Sequence, residues 1–142
     1  MAKPLSKSAK LMTAVTPTEG AAAATDINGT IIDLAGFHGC LIAVHFGAIV
    51  SGAATSIKAQ AGDDSGLSDA ADVAGSSVTV ADTDDDKVFY IDVHRPGKRY
   101  MRLVVLRATQ NATVAAMYLA YDARRKPVAQ AAAVAGSYVV GP

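Results

Sequence analysis

Apolar and polar residues alternate with a period of two along most of the chain. Phe89, Ile91 and Val93 stand against Val88, Tyr90 and Asp92. Met101, Leu103, Val105 and Arg107 stand against Tyr100, Arg102, Val104 and Leu106. Ala115, Met117, Leu119 and Tyr121 stand against Val114, Ala116, Tyr118 and Ala120, and Ile42, Val44 and Phe46 against Leu41, Ala43 and His45. Successive side chains of a strand point to opposite faces, so such runs, rich in β-branched and aromatic residues, predict strands. Turn chemistry separates them at Asn28-Gly29, Gly36 and Gly39, Asp63-Asp64-Ser65-Gly66, Asp84-Asp85-Asp86, Pro96-Gly97 and Gln110-Asn111. The pattern predicts strands near 10–16, 29–34, 40–50, 55–61, 77–81, 87–93, 99–108 and 113–123. The best helical candidate, Ala129–Ala135, is short and follows Pro127. The expected fold is an all-β, eight-stranded sandwich of jelly-roll type with extended N- and C-terminal arms.

The two ends differ from the middle. Residues 1–24 read as a Lys/Ser/Thr/Ala-rich arm, with a first strand possible near 10–16. Residues 25–126 read as the sandwich domain and 127–142 as an uncharged Ala/Val/Gly tail. A tail carrying Tyr138, Val139 and Val140 is poorly solvated when free, so it is expected to cover an edge strand or dock on a partner.

Charge adds a second pattern. The 142 residues carry 13 Lys+Arg and 13 Asp+Glu, a formal net charge of zero. That excludes charged disorder and argues against a basic nucleic-acid surface. The balance is uneven along the chain. Residues 63–86 hold eight aspartates and no base, whereas residues 87–126 hold nine bases against two acids. Such separation suits salt-sensitive docking or self-pairing. No run of about 20 apolar residues occurs, so no membrane span is expected.

Candidate chemistry is sparse. Cys40 is the only cysteine and sits in an apolar run, which suggests a buried, inert thiol. His38, His45 and His94 lack metal-ligand spacing. Asp82, Asp84 and Asp86 match the start of a calcium loop, but Lys87 stands where a turn glycine is needed and Val93 where a bidentate Glu is needed. No nucleophile elbow, phosphate loop or Cys-x-x-Cys occurs, and Glu19 is the only Glu. No enzyme activity and no cofactor are expected. Arg99, Arg102, Arg124 and Arg125 carry guanidinium forks suited to carboxylate partners. With Lys3, Lys7 and Lys10 of the arm and Tyr138, Val139 and Val140 of the tail, they form the expected interface set, toward a protein partner or a second copy.

A resemblance names the class of that partner. An apolar strand, Gly39-Cys40-Leu41-Ile42-Ala43-Val44-His45-Phe46-Gly47, leads to the Asp-rich loop Gly62-Asp63-Asp64-Ser65-Gly66 and the segment Ala71-Asp72-Val73-Ala74-Gly75. The strand pair Val88–Val93 and Gly97–Val105 follows. This order, over roughly residues 25–125, resembles the head decoration (cement) proteins of tailed bacteriophages, including the jelly-roll type of a short-tailed Bordetella phage. The resemblance implies a structural virion protein, made in the host cytoplasm and placed on the outer surface of the capsid. Its implied partners are the major capsid protein and itself, as a dimer rather than a trimer, with no direct contact to nucleic acid or membrane. Its implied role is to cement capsid subunits against internal DNA pressure. A phage tail, baseplate or receptor-binding β-module is the alternative.

Overall fold

The computed structural model describes residues 4–18, 25–108, 112–137 and 139–141. A single helical turn, α1 (Leu5–Ser8), precedes ten strand segments. These are β1 (Lys10–Thr18), β2 (Ile27–Asn28), β3 (Ile32–Asp33), β4 (Gly39–Ile49), β5 (Ala54–Gly62), β6 (Ala71–Asp72), β7 (Val78–Val80), β8 (Val88–His94), β9 (Tyr100–Ala108) and β10 (Ala112–Tyr121). Sheet one has the order β1-β10-β4-β8, and sheet two runs β2-β9-β5-β6, with β3 also on β9 and β7 also on β5. All pairings are antiparallel.

Counting β2/β3 and β6/β7 as interrupted single strands reduces the ten segments to eight. First then pairs with last, second with seventh, third with sixth and fourth with fifth. This nesting describes one long hairpin folded over into two four-stranded sheets, the jelly-roll arrangement. The expected sandwich is therefore the observed fold.

The alternation explains how the sheets close on each other. Ile42, Val44 and Phe46 of β4, Val114, Tyr118 and Ala120 of β10, Ile57 and Ala59 of β5, and Met101, Leu103 and Val105 of β9 are all buried. Phe46 meets Phe89 edge-on, with centroids 5.7 Å apart and an interplanar angle of 86°. Burying these faces supplies the main drive for folding.

One polar contact ties the two sheets together and explains why the second strand breaks. The Tyr118 hydroxyl of β10 crosses the core, accepts the Leu103 N–H at 2.7 Å and donates to the Thr30 carbonyl at 2.6 Å. It replaces the ladder between β2 and β3. Gly29 N–H then donates to the Leu103 carbonyl at 2.7 Å, and Thr30 N–H to the Ala14 carbonyl of β1 at 2.9 Å. A Cβ on Gly29 would stand 2.9 Å from the Leu103 carbonyl oxygen and 3.0 Å from the Tyr118 hydroxyl, so only glycine fits without a shift.

The ends pack onto the sandwich. Lys10–Thr18 of the expected N-terminal arm is an edge strand of sheet one. Residues 19–24 lie outside the described residues. Ala129–Ala135 is not helical; its Gln130 side chain is bonded to the N-terminal segment instead. Val128 N–H donates to the Lys7 carbonyl at 3.0 Å. The Gln130 amide accepts Leu11 N–H at 2.9 Å and donates to the Ser6 and Ala9 carbonyls at 2.9 and 2.7 Å. The tail thus covers part of the β1 edge.

Candidate docking face

The outward side of sheet one can be assembled row by row from the strand register. One row runs Thr13, Met117, Ala43, Tyr90 across β1, β10, β4 and β8. The next runs Leu11, Leu119, Leu41, Asp92, and the others are Ala115, His45, Val88 and Tyr121, Gly39, His94. No Lys or Arg stands in these rows, and Asp92 is their one carboxylate. Val88, Tyr90 and Met117 are 65%, 69% and 52% exposed, although all three are large and apolar in body. A depression of about 450 Å³ lies among Thr13, Ala43, His45, Val88, Ala115 and Met117. A contiguous exposed apolar surface on a folded protein marks an interaction site.

Asp92 is tied down within this face. Glycine at position 39 leaves room for the Tyr121 ring, because a Cβ there would overlap it. The ring crosses β4, and its hydroxyl donates to Asp92 Oδ1 at 2.6 Å. It also stacks on His94 at 6.1 Å between centroids. Burial, then the hydrogen bond to Asp92, push the Tyr121 pKa up to about 12. The phenol therefore stays a donor at neutral pH.

The outward side of sheet two is different in kind. Arg102 donates from Nε and Nη2 to Gln60 Oε1 at 3.1 and 2.9 Å. Gln60 Nε2 and Lys58 Nζ both reach Asp72 at 3.0 Å. Arg99 grips Asp33 through two bonds of 3.0 Å and lies over the Tyr100 ring at 5.1 Å. The hydrogen bond from Arg99 holds the Asp33 carboxyl below its ordinary range, as Gln60 and Lys58 do for Asp72.

The acidic and basic segments meet inside one molecule. Lys98 pairs with Asp63 at 2.9 Å and Lys87 with Asp84 at 2.6 Å. Other aspartates accept backbone N–H groups, within their own loop or from the end of β4 and the turn after it. Asp64 takes those of Gly66 and Ser68, and Asp69 takes those of Asp63 and Asp64. Asp82 takes that of Gly52 and Asp85 that of Ile49. The backbone bond from Ser68 leads in lowering Asp64, and that from Asp63 in lowering Asp69. Among the described residues, no group of three or more His, Cys, Asp or Glu is placed to hold a metal ion. Cys40 is buried, and desolvation pushes its thiol up to about 12.

The expected interface residues do not converge on one patch. Lys7 and Lys10 lie at the tail-covered edge, and Val139 and Val140 are 78% and 74% exposed. Arg99 and Arg102 belong to the sheet-two side and are engaged within the chain. Arg124 and Arg125 flank a groove with Phe37 and Pro127. Lys3 and Tyr138 lie outside the described residues. Val88, Tyr90 and Met117 were not singled out from sequence. The signal was present, since Val88 and Tyr90 fall on the face opposite Phe89, Ile91 and Val93, but alternation alone does not say which face meets solvent.

Fold and face together define a jelly-roll sandwich with one charged side and one apolar side. No family model matches the chain, and no curated protein does. Among solved structures it is similar to the SPBc2 prophage-derived protein YomS. The identity is 17% and the TM-score 0.46, covering 79% of this chain and 93% of that one. A likeness at that level carries no argument about function.

Proposed function

We propose that this chain is a structural virion protein of a tailed phage, docking on the outside of the head and cementing major capsid protein subunits. The observation that carries the proposal is the outward face of sheet one, which has no Lys or Arg in its rows and leaves Val88, Tyr90 and Met117 exposed on a rigid sandwich. A rigid two-sheet body transmits load between the subunits it bridges, and an apolar face gains free energy by leaving water, at about 25 cal/mol per Å² before association costs. Repetition over a shell turns a modest contact into lasting attachment through avidity. Self-association as a dimer belongs to the same reading.

The test is co-sedimentation with expanded capsids. Met117→Lys and Ala115→Lys, both on the inner strand β10, should each weaken binding about ten-fold or more while the circular dichroism spectrum stays unchanged. Arg102→Ala on the opposite side should bind as the parent does. Equal binding by the Met117→Lys and parent proteins overturns this docking face. Tagged protein imaged on tails rather than heads overturns the capsid partner.

A further inference from the structure

A sheet edge exposes a row of backbone donors and acceptors, and proteins blunt such edges with bulges, prolines, charges, short strands or covering segments. Three of the four edges here are blunted. The β1 edge has register shifts between Thr13 and Val15 and between Val15 and Thr18, contains Pro17, and has Gln130 on its Leu11 N–H. The β2/β3 edge is two segments of two residues each, and the β6/β7 edge is two and three residues.

Apart from Asp92, whose carboxylate the Tyr121 hydroxyl holds, the β8 edge has none of these devices. Its seven residues keep unbroken register with β4, from His94 opposite Gly39 to Val88 opposite His45. Val-Phe-Tyr-Ile-Asp-Val-His contains no Lys, Arg, Pro or Gly. Phe46 N–H donates to the Lys87 carbonyl and Arg95 N–H to the His38 carbonyl, which sets the phase of the ladder. Residues 87, 89, 91, 93 and 95 therefore turn their backbone groups toward β4. Val88, Tyr90, Asp92 and His94 turn theirs away, and no described residue bonds them. A groove of about 330 Å³ between β8 and the Val73–Val78 segment leaves the strand open to solvent.

We propose that β8 pairs antiparallel with β8 of a second copy, across a two-fold axis at Ile91, joining two four-stranded sheets into one continuous sheet. This names the surface for the self-association in the function above and does not depend on the capsid partner. The strand is complementary to itself in that register. Tyr90 falls opposite Asp92, Val88 opposite His94, Phe89 opposite Val93, and Ile91 opposite itself. No like charges stand directly opposite each other within the seven residues, and each Asp92 faces an aromatic residue. Beyond the strand Lys87 comes opposite Arg95, where Asp84 already holds the Lys87 ammonium. An isologous contact of this kind closes at two copies instead of growing into a fibre.

The experiment is sedimentation velocity on the full chain beside two variants. Tyr90→Pro removes an outward N–H that β4 does not use, so the fold keeps its ladder while the edge loses a donor. Val88→Lys places an ammonium on the edge. The parent should be a dimer and both variants monomers, with at least ~10-fold weaker association and unchanged circular dichroism. If Tyr90→Pro fails to fold, Val88→Lys decides. A parent that stays monomeric to ~100 µM overturns the proposal, as does a dimer that survives in a folded variant. So does a dimer lost only when residues 127–142 are removed, which would assign the contact to tail exchange. Capsid co-sedimentation run in parallel separates the two proposals. A dimer that ignores capsids leaves β8 pairing standing and sinks the cement role, and a capsid-binding monomer does the reverse.

Discussion

The two outward faces of the sandwich are built on the same backbone ladder, yet they treat their side chains in opposite ways. On sheet two, Arg102, Gln60, Asp72 and Lys58 form a connected polar chain, and Arg99 closes on Asp33. On sheet one, the corresponding rows are Met117, Ala43 and Tyr90, or Leu119 and Leu41, with no cation among them. The sheet-two groups satisfy one another and hold nothing in reserve for a partner. The exposed sheet-one side chains Val88, Tyr90 and Met117 face water over much of their surface, and water is the poorer neighbour for them. In the proposed docking, the quiet Ala/Val/Met run and not the long charged list marks the side that meets a partner.

The first way to break the comparison is to loosen the bolt between the faces. Tyr118→Phe leaves the Leu103 N–H and the Thr30 carbonyl buried without their partner. It should cost roughly 1–3 kcal/mol in urea unfolding and affect both sheets together, as one cooperative transition. Unchanged stability would mean that the sheets are held by apolar packing alone.

Next in size is the apolar face itself. Met117→Lys should weaken capsid binding about ten-fold or more, near 1.4 kcal/mol, with stability altered by no more than ~0.5 kcal/mol. The opposite pattern, lost stability with binding intact, would make Met117 a packing residue. Smaller still is the polar face. Arg99→Ala removes an ion pair whose side chains are 55% and 44% exposed. Thermal unfolding should shift very little, because solvent screens such exposed pairs.

The smallest effect sharpens the contrast by pH. Asp33 is lowered by its bond from Arg99, Asp72 by Gln60 and Lys58, and Asp84 by Lys87. A carboxyl whose folded value lies below its unfolded one adds stability above the unfolded value and loses it as pH falls through the folded one. Stability should thus be level near neutrality and fall below about pH 4. Amide exchange near pH 3 should rise first at β5, β6 and the Asp-rich loops, while β4 and β10 remain protected. Equal loosening of both sheets would remove the distinction.

Much of the fold was legible because alternation is a local property. The runs at 40–50, 55–61, 87–93 and 99–108 fall on β4, β5, β8 and β9 within a residue or two. Two features were not legible. The second strand is interrupted because Tyr118, about ninety residues away in the chain, takes the Leu103 N–H. The Ala-rich segment after Pro127 looks helical by propensity, yet Gln130 is committed to Ser6, Ala9 and Leu11. Both depend on contacts distant in sequence. The candidate site was less legible than the fold. Arg99 and Arg102 drew attention as cations, and their partners Asp33 and Gln60 lie 66 and 42 residues away.

The sequence by itself determined the strands, their two-sided character, the turns between them and the all-β class, because each follows from side-chain period and turn chemistry within a few residues. Only the tertiary structure decided which side of each strand faces the core, which charges cancel, and which edge stays open. Those are properties of juxtaposition. Nested pairing of distant strands turns Phe89 toward the core and exposes Tyr90, spends the Asp-rich segment on loop backbone and neighbouring lysines, and leaves β8 as an edge strand whose outward backbone no described residue bonds.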